Sequence, residues 1–213
     1  MSDTWMRLLK NKKIDPKRLN ESDKNEIFKL CFDYESKNDA MRLFIGEIYF
    51  LEKKFDEAFK WSLPLAEKED LTAMCQLGRI YYHQKEYRNA SFWYEKYLLI
   101  DKSEADLYWN FGLLFDSPWE GYNRWKSAEN YARAYLLYDE KKREIDKEHC
   151  FLKLERLFPK MNIDQVLETF RKSIEFEHLK KENERLGDEV RYRPGGEGAV
   201  MAEADFNDLV KKN

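Results

Sequence analysis

The sequence predicts an all-α fold: helical hairpins packed side by side, followed by a long C-terminal helix. Three observations predict it. Only 8 Gly and 5 Pro occur in 213 residues, about half the usual share of helix breakers. Charged residues make up 37% and aromatic residues 15%. That is the composition of helices with charged outer faces and ring-filled inner ones, not of a disordered or collagen-like chain. Finally, one helical pattern recurs in register three times between residues 39 and 140.

Residues 1–38 read as N-terminal capping helices. Trp5, Met6, Leu8 and Leu9 form a short apolar face. A helix starting at Ser22 or Asp23 places Ile27, Leu30, Cys31 and Tyr34 at helical spacing. No apolar h-region follows Met1, so no secretory signal is expected. No run approaches the ~18 apolar residues of a membrane span. Arg7, Lys10, Lys12, Lys13, Lys17 and Arg18 outnumber Asp3 and Asp15 here and read as a solvated face. The formal net charge is −3, so the basic face that nucleic-acid binding requires is missing. The three cysteines, Cys31, Cys75 and Cys150, form no CxxC and sit among apolar neighbours. They are expected to be free core thiols in a reducing compartment, so the expected location is intracellular and cytoplasmic.

The repeats span 39–140. Ile45-Gly46 matches Leu77-Gly78, and Tyr49 matches Tyr81 at the same offset. The register continues through Phe55 and Tyr87, Ala58 and Ala90, and Trp61 and Trp93. In the third copy Tyr108, Phe111-Gly112 and Phe115 match Met74, Leu77-Gly78 and Tyr81 at a slightly longer offset. Its second helix carries Ala128 after a longer loop, Asp116–Asn123. Gly inside a helix costs about 1 kcal/mol relative to Ala. Gly at one position in three copies therefore implies close approach by the second helix, with Ala58 and Ala90 facing it. One such hairpin cannot bury its faces alone, so neighbours must stack.

An apolar residue followed by Gly, Tyr three on and Ala twelve on resembles the tetratricopeptide repeat, and the offsets between copies are close to the ~34-residue period of that unit. The Trp93-Tyr94 pair and the long third loop resemble its Sel1-like cousin. Arg42, at a position usually apolar, and Pro64, expected to interrupt the first copy's second helix, depart from the pattern. The resemblance implies a right-handed α-α superhelix, a solenoid whose first helices line a concave groove. Mapped onto this sequence, the groove residues are Glu47, Phe50, Arg79, Tyr82, His83, Trp109 and Leu113. Such a mix of rings with a few charges suits protein contact. Chaperone-binding members of the family place Asn directly after the Gly to clamp a carboxylate. Here those positions hold Glu47, Arg79 and Leu113, so the resemblance does not extend to that clamp.

A capping helix follows in 141–160, roughly over 142–158, and stops before Pro159. Asn162-Ile163-Asp164-Gln165 is a capping-box variant, with Met161 and Val166 as a hydrophobic staple. The long helix of 161–190 then presents Val166, Leu167, Phe170 and Ile174 on one face. Its spacing becomes heptad-like, with Phe176, Asn183 and Val190 at a and Leu179 and Leu186 at d. An Asn at a single a position fixes the register of a parallel pair, so this stretch can dimerise the chain. Residues 191–213 are a turn-forming linker and a short amphipathic helix carrying Ala199, Ala202, Phe206 and Leu209, a candidate docking peptide. The run from Tyr192 to Gly198 resembles a Pro-Gly-Gly element of repeat proteins in giant DNA viruses.

No catalytic constellation stands out. His83, His149 and His178 lie on different helices, none at metal-ligand spacing, and no nucleotide or hydrolase motif occurs. The sequence therefore predicts a non-catalytic adaptor without metal or cofactor. Its partner is a protein or peptide, not nucleic acid, and it can form a homodimer.

Overall fold

The computed structural model describes residues 15–33 and 39–186, without the side chains of 30–33 and 176–186. Among the described residues there are nine α-helices and one 3-10 turn, and no strand. No described helix is long and apolar enough to cross a membrane. Contacts divide the chain into two compact units, Met1–Lys102 and Ser103–Asn213.

In the first unit a 3-10 turn, Pro16–Arg18, is capped by the Asp15 carboxylate. Five helices follow: α1 Glu21–Asp33, α2 Asp39–Leu51, α3 Phe55–Ala66, α4 Leu71–His83 and α5 Tyr87–Ile100. The first starts ahead of the expected Ser22 because Asn20 caps it. Asn20 Oδ1 accepts from the Asp23 amide at 2.9 Å, and Asp23 Oδ2 accepts from the Asn20 amide at 3.2 Å, a reciprocal capping box. Short turns fold α2 onto α3 and α4 onto α5, while α3 and α2 both pack on α4. The start of α4 follows that of α2 by the same interval that separates the starts of α3 and α5. Ile27, Met41, Ile45 and Ile48 form a core under Phe28, Phe44, Tyr49 and Trp61. Lys24 ties α1 to the end of α2 through Glu52, at 2.7 Å.

Pro64 does not interrupt its helix, contrary to the sequence expectation. It lies within the last turn of α3, which runs on to Ala66. Only the Lys60 carbonyl loses its usual amide donor, and both residues lie on the exposed side of the helix, where such a loss costs less than in a core.

Four helix ends share one turn chemistry that composition hides. Lys53, Glu69, Lys85 and Lys142 have φ of 60°, 65°, 64° and 55°. Each amide bonds the carbonyl three residues back, and the next amide bonds the carbonyl five back: Lys53 to Phe50 and Lys54 to Tyr49, Lys85 to Tyr82 and Glu86 to Tyr81. This is the Schellman closure, which normally uses Gly. A side chain in this left-handed conformation costs about 1–2 kcal/mol, of which a switch to Gly would forfeit about 0.5–1 kcal/mol in chain entropy. Lys85→Gly is therefore expected to raise stability by about 0.5–1 kcal/mol, read as a higher urea midpoint. A lower midpoint contradicts the reading.

The glycines of the shared pattern are tightly covered by the second helix of their hairpin, as expected: Ala58 O lies 3.6 Å from a Cβ built at Gly46, while at Gly78 and Gly112 a ring makes the nearest contact. A Cβ at Gly78 would lie 2.1 Å from the Tyr94 ring, and one at Gly112 would lie 2.4 Å from the Tyr131 ring. A Cβ at Gly46 would meet Ser62 Oγ at 3.0 Å and Gln76 Oε1 at 3.1 Å. Ala58, Ala90 and Ala128 are fully buried, but rings one turn further along fill the space over Gly78 and Gly112.

In the second unit the helices are α6 Ala105–Phe115, α7 Arg124–Glu140, α8 Glu144–Leu157 and α9 Ile163–Leu186. The loop after α6 closes on itself: the Asn123 amide bonds Phe115 O at 3.0 Å, and Trp119 Nε1 donates to Leu114 O at 2.9 Å. Asn123 then caps α7 through the Lys126 amide. Arg124 donates to Leu157 O, and Arg156 pairs with Asp116. The first fastens the start of α7, and the second the loop, to the end of α8. Asn162 accepts from the Gln165 amide at 3.2 Å. Val166, Leu167 and Phe170 of α9 enter a core with Ala128, Tyr131, Leu154 and Phe158. Tyr138 Oη donates to Asp106 at 2.6 Å, and Arg143 bonds the same carboxylate. Burial and that bond push the Tyr138 phenol far above the ordinary tyrosine range.

Candidate functional site

The expected groove residues fall in both units. In the first, α2 supplies Glu47 and Phe50, and α4 supplies Arg79, Tyr82 and His83. These five meet. Arg79 grips Glu47 with both ends of its fork, at 3.0 and 3.2 Å. Its guanidinium carbon lies 4.1 Å from the Phe50 ring centroid. Phe50 touches the His83 ring at 5.2 Å, and Tyr82 touches it at 5.6 Å. The two charges therefore tie α2 to α4.

Behind the pair lies a polar network. Gln76 is 6% exposed. Its Nε2 donates to Leu43 O at 2.9 Å and to Glu47 at 3.3 Å, and its Oε1 lies 2.9 Å from Ser62 Oγ. Every polar atom of the Gln76 side chain is thus bonded, as a buried amide requires. Gln76 and Ser62 escape a reading of the sequence alone. Their signal is a polar residue on the apolar stripe Ala73, Leu77, Ile80, and a small hydroxyl one turn after Ala58.

Around the partly exposed pair this face is aromatic. Phe50 is buried, Tyr82 is half-buried, and His83 is exposed. Phe55, at the start of α3, stacks on His83 at 5.7 Å, and Tyr87 meets Tyr82 at 5.8 Å. Beside Phe55 lies a shallow open cavity of about 430 Å³, lined by Lys53, Lys54, Phe55, Asp56, Glu57 and Gln84. Partial burial against the rings, with Arg79 and Lys53 adding to it, holds the His83 imidazole below its ordinary 6.5. The folded chain therefore takes this proton at lower pH than the unfolded chain does. Stability conferred by neutral His83 is present above pH 6.5 and falls as pH drops through the folded value. His83→Phe is expected to flatten that part of the stability profile between pH 7 and 5.5, followed by urea unfolding. An unchanged profile contradicts the assignment.

In the second unit Trp109 and Leu113 lie along α6 and pack on the core. Trp109 meets Tyr131 at 5.2 Å and His149 of α8 at 6.4 Å. Lys153 Nζ sits 5.9 Å from the Trp109 ring and 6.0 Å from the Tyr131 ring. Sequence reasoning missed His149 and Lys153, because their place depends on how α8 folds back beside α6. For the dimer set, Phe176, Leu179, Asn183 and Leu186 fall within α9, their side chains outside the described ones. Val190 lies outside the described residues altogether.

Of the cysteines, Cys75 is half-buried and Cys150 buried, and the Cys31 side chain lies outside those described. Burial, reinforced by Asp146 and Asp106, pushes the Cys150 thiol up to about 12. It stays protonated at neutral pH and is a poor nucleophile. Among the described residues no group of three or more His, Cys, Asp or Glu is arranged to hold a metal ion. No protein-family model matches the chain, and no curated protein matches it.

Proposed function

We propose that the chain is a non-catalytic helical-repeat adaptor of the tetratricopeptide or Sel1-like kind. In this reading its hairpins form a right-handed α-α superhelix, and a protein or peptide segment binds where the first helices of the hairpins face outward. The observation that carries the reading is the aromatic face of the first unit. Tyr82 and His83 are accessible, backed by Phe50 and Phe55, and the nearby Arg79 charge is already neutralised by Glu47. Such a face favours apolar and aromatic anchors over a carboxylate terminus. Support for the repeat comes from the equal spacing of helix starts in the first unit and from the tight cover over Gly46, Gly78 and Gly112.

The test is affinity capture with a Tyr82→Ala/His83→Ala variant. Arg79 and Trp109 are left intact, because both hold helices together. Loss of the captured partner with an unchanged circular dichroism spectrum is the expected result. A full capture profile from the folded variant removes the assignment.

A second reading is a scaffold that dimerises through α9, which runs unbroken to Leu186. Truncation is a poor test, because Val166 and Phe170 belong to the core. Leu179→Asp with Leu186→Asp in the full chain tests it by light scattering. Dimer to monomer is the expected change, and a wild-type monomer ends this reading.

A further inference from the structure

We infer that residues 199–210 of this chain dock on the second unit, over Trp109 of α6 and Lys153 of α8. The inference rests on the adaptor reading only in taking the α6 face as a binding surface, and names what covers it.

Charge carries it first. Among the described residues of the second unit four cations are partly buried: Arg133, Arg143, Lys147 and Lys153. Arg133 pairs with Glu129, Arg143 with Asp106 and Asp146, and Lys147 with Asp139 and Glu144. Lys153 alone of the four has no carboxylate within ion-pair distance among the described residues and faces only the two rings. An ammonium held over rings attracts a carboxylate more strongly than one in water does, because part of its hydration is already lost.

Apolar surface carries it second. Ile145 is 71% exposed and Leu152 is 52% exposed. They lie two helical turns apart on α8, on one stripe with His149, which touches Trp109. An apolar stripe beside an uncompensated cation calls for an acidic, amphipathic occupant.

Residues 199–210 have that chemistry. They carry Glu203, Asp205 and Asp208 together with Phe206 and Leu209, and although Lys211 and Lys212 follow directly, the carboxylates outnumber the cations from Ala199 to Asn213. Residues 1–14 are the other apolar candidate, but they carry Arg7, Lys10, Lys12 and Lys13 against Asp3, and Lys153 would repel them. Reach permits the match. The 24 residues of α9 span about 36 Å at 1.5 Å per residue. The stretch 187–198 extends to about 40 Å, enough to return along the whole helix.

Hydrogen exchange on the full-length protein tests the proposal. Amides of 199–210 are expected to exchange at least about tenfold more slowly than free peptide, independently of protein concentration. Lys153→Glu should abolish the slowing, as should Asp205→Lys with Asp208→Lys, which lies outside the described helices and leaves the core untouched. Combining all three substitutions should restore it. Absence of slowing in the wild type, slowing that survives Lys153→Glu, slowing lost on dilution, or no recovery in the combined variant each overturns the proposal. The capture experiment on Tyr82 and His83 reads the first unit, so the two proposals fail separately.

Discussion

Gly78→Ala is expected to destabilise the protein by about 2 kcal/mol, although Ala is the better helix former. The helix itself would gain about 1 kcal/mol from the exchange. Against this stands a new methyl 2.1 Å from Cε1 of Tyr94, where nothing short of moving the ring makes room. Tyr94 is 1% exposed, so its ring is held on all sides. Overpacking of a closed core costs about 1–3 kcal/mol, and this clash belongs at the upper end. Gly112→Ala meets the Tyr131 ring at 2.4 Å and should behave alike. Gly46→Ala should cost less than about 1 kcal/mol, because its nearest neighbours are side-chain oxygens at 3.0 and 3.1 Å that can give slightly. Urea unfolding of the three variants decides the matter. Equal effects at Gly46 and Gly78 would show that the ring contacts are not what excludes a side chain. Pairing Gly78→Ala with Tyr94→Leu should cost less than the sum of the two single changes.

Glu47→Ala should cost about 2 kcal/mol, a large effect for a residue on an outward face. The Arg79 side chain is 30% exposed and that of Glu47 is 20% exposed. The pair is therefore partly removed from water, and its geometry is bidentate. Deleting the carboxylate leaves a partly desolvated guanidinium with only the Phe50 ring, and leaves one of the two Gln76 N–H groups without an acceptor. Removing one member of a desolvated pair costs more than the pair's net worth. The value lies below that of a fully buried pair because water still reaches both groups. Glu47→Gln should cost less, since it keeps an acceptor for Arg79. A Glu47→Ala protein as stable as the wild type in low salt contradicts the tie.

The helical character of the chain is legible from its lack of breakers and its recurring Ile-Gly, Leu-Gly and Phe-Gly steps. Less is legible where tertiary contact decides. Glu47 and Arg79 each follow the Gly of their own hairpin, and opposite charges at matching places in neighbouring hairpins are a readable sign of contact. The repeat pattern on its own assigns both to the groove. The cover over Gly78 cannot be read, because a ring one turn beyond Ala90 supplies it. The Schellman ends are hidden because Lys and Glu stand where Gly usually marks them. Pro64 misleads for the opposite reason: proline near the end of a helix removes a single hydrogen bond, here between two exposed residues. Lys153 needs α8 to fold back beside α6 before its lack of a carboxylate means anything.

Hydroxyl-radical footprinting of the full-length protein, free and bound to its captured partner, tests the binding account most directly, because it reads side chains. Tyr82 and His83 should lose reactivity on binding. Phe92 and Leu99, exposed at 57% and 85% on α5, should keep theirs. Protection of Phe92 and Leu99 with Tyr82 and His83 unchanged would contradict the account and move the binding surface to the second helix of the hairpin.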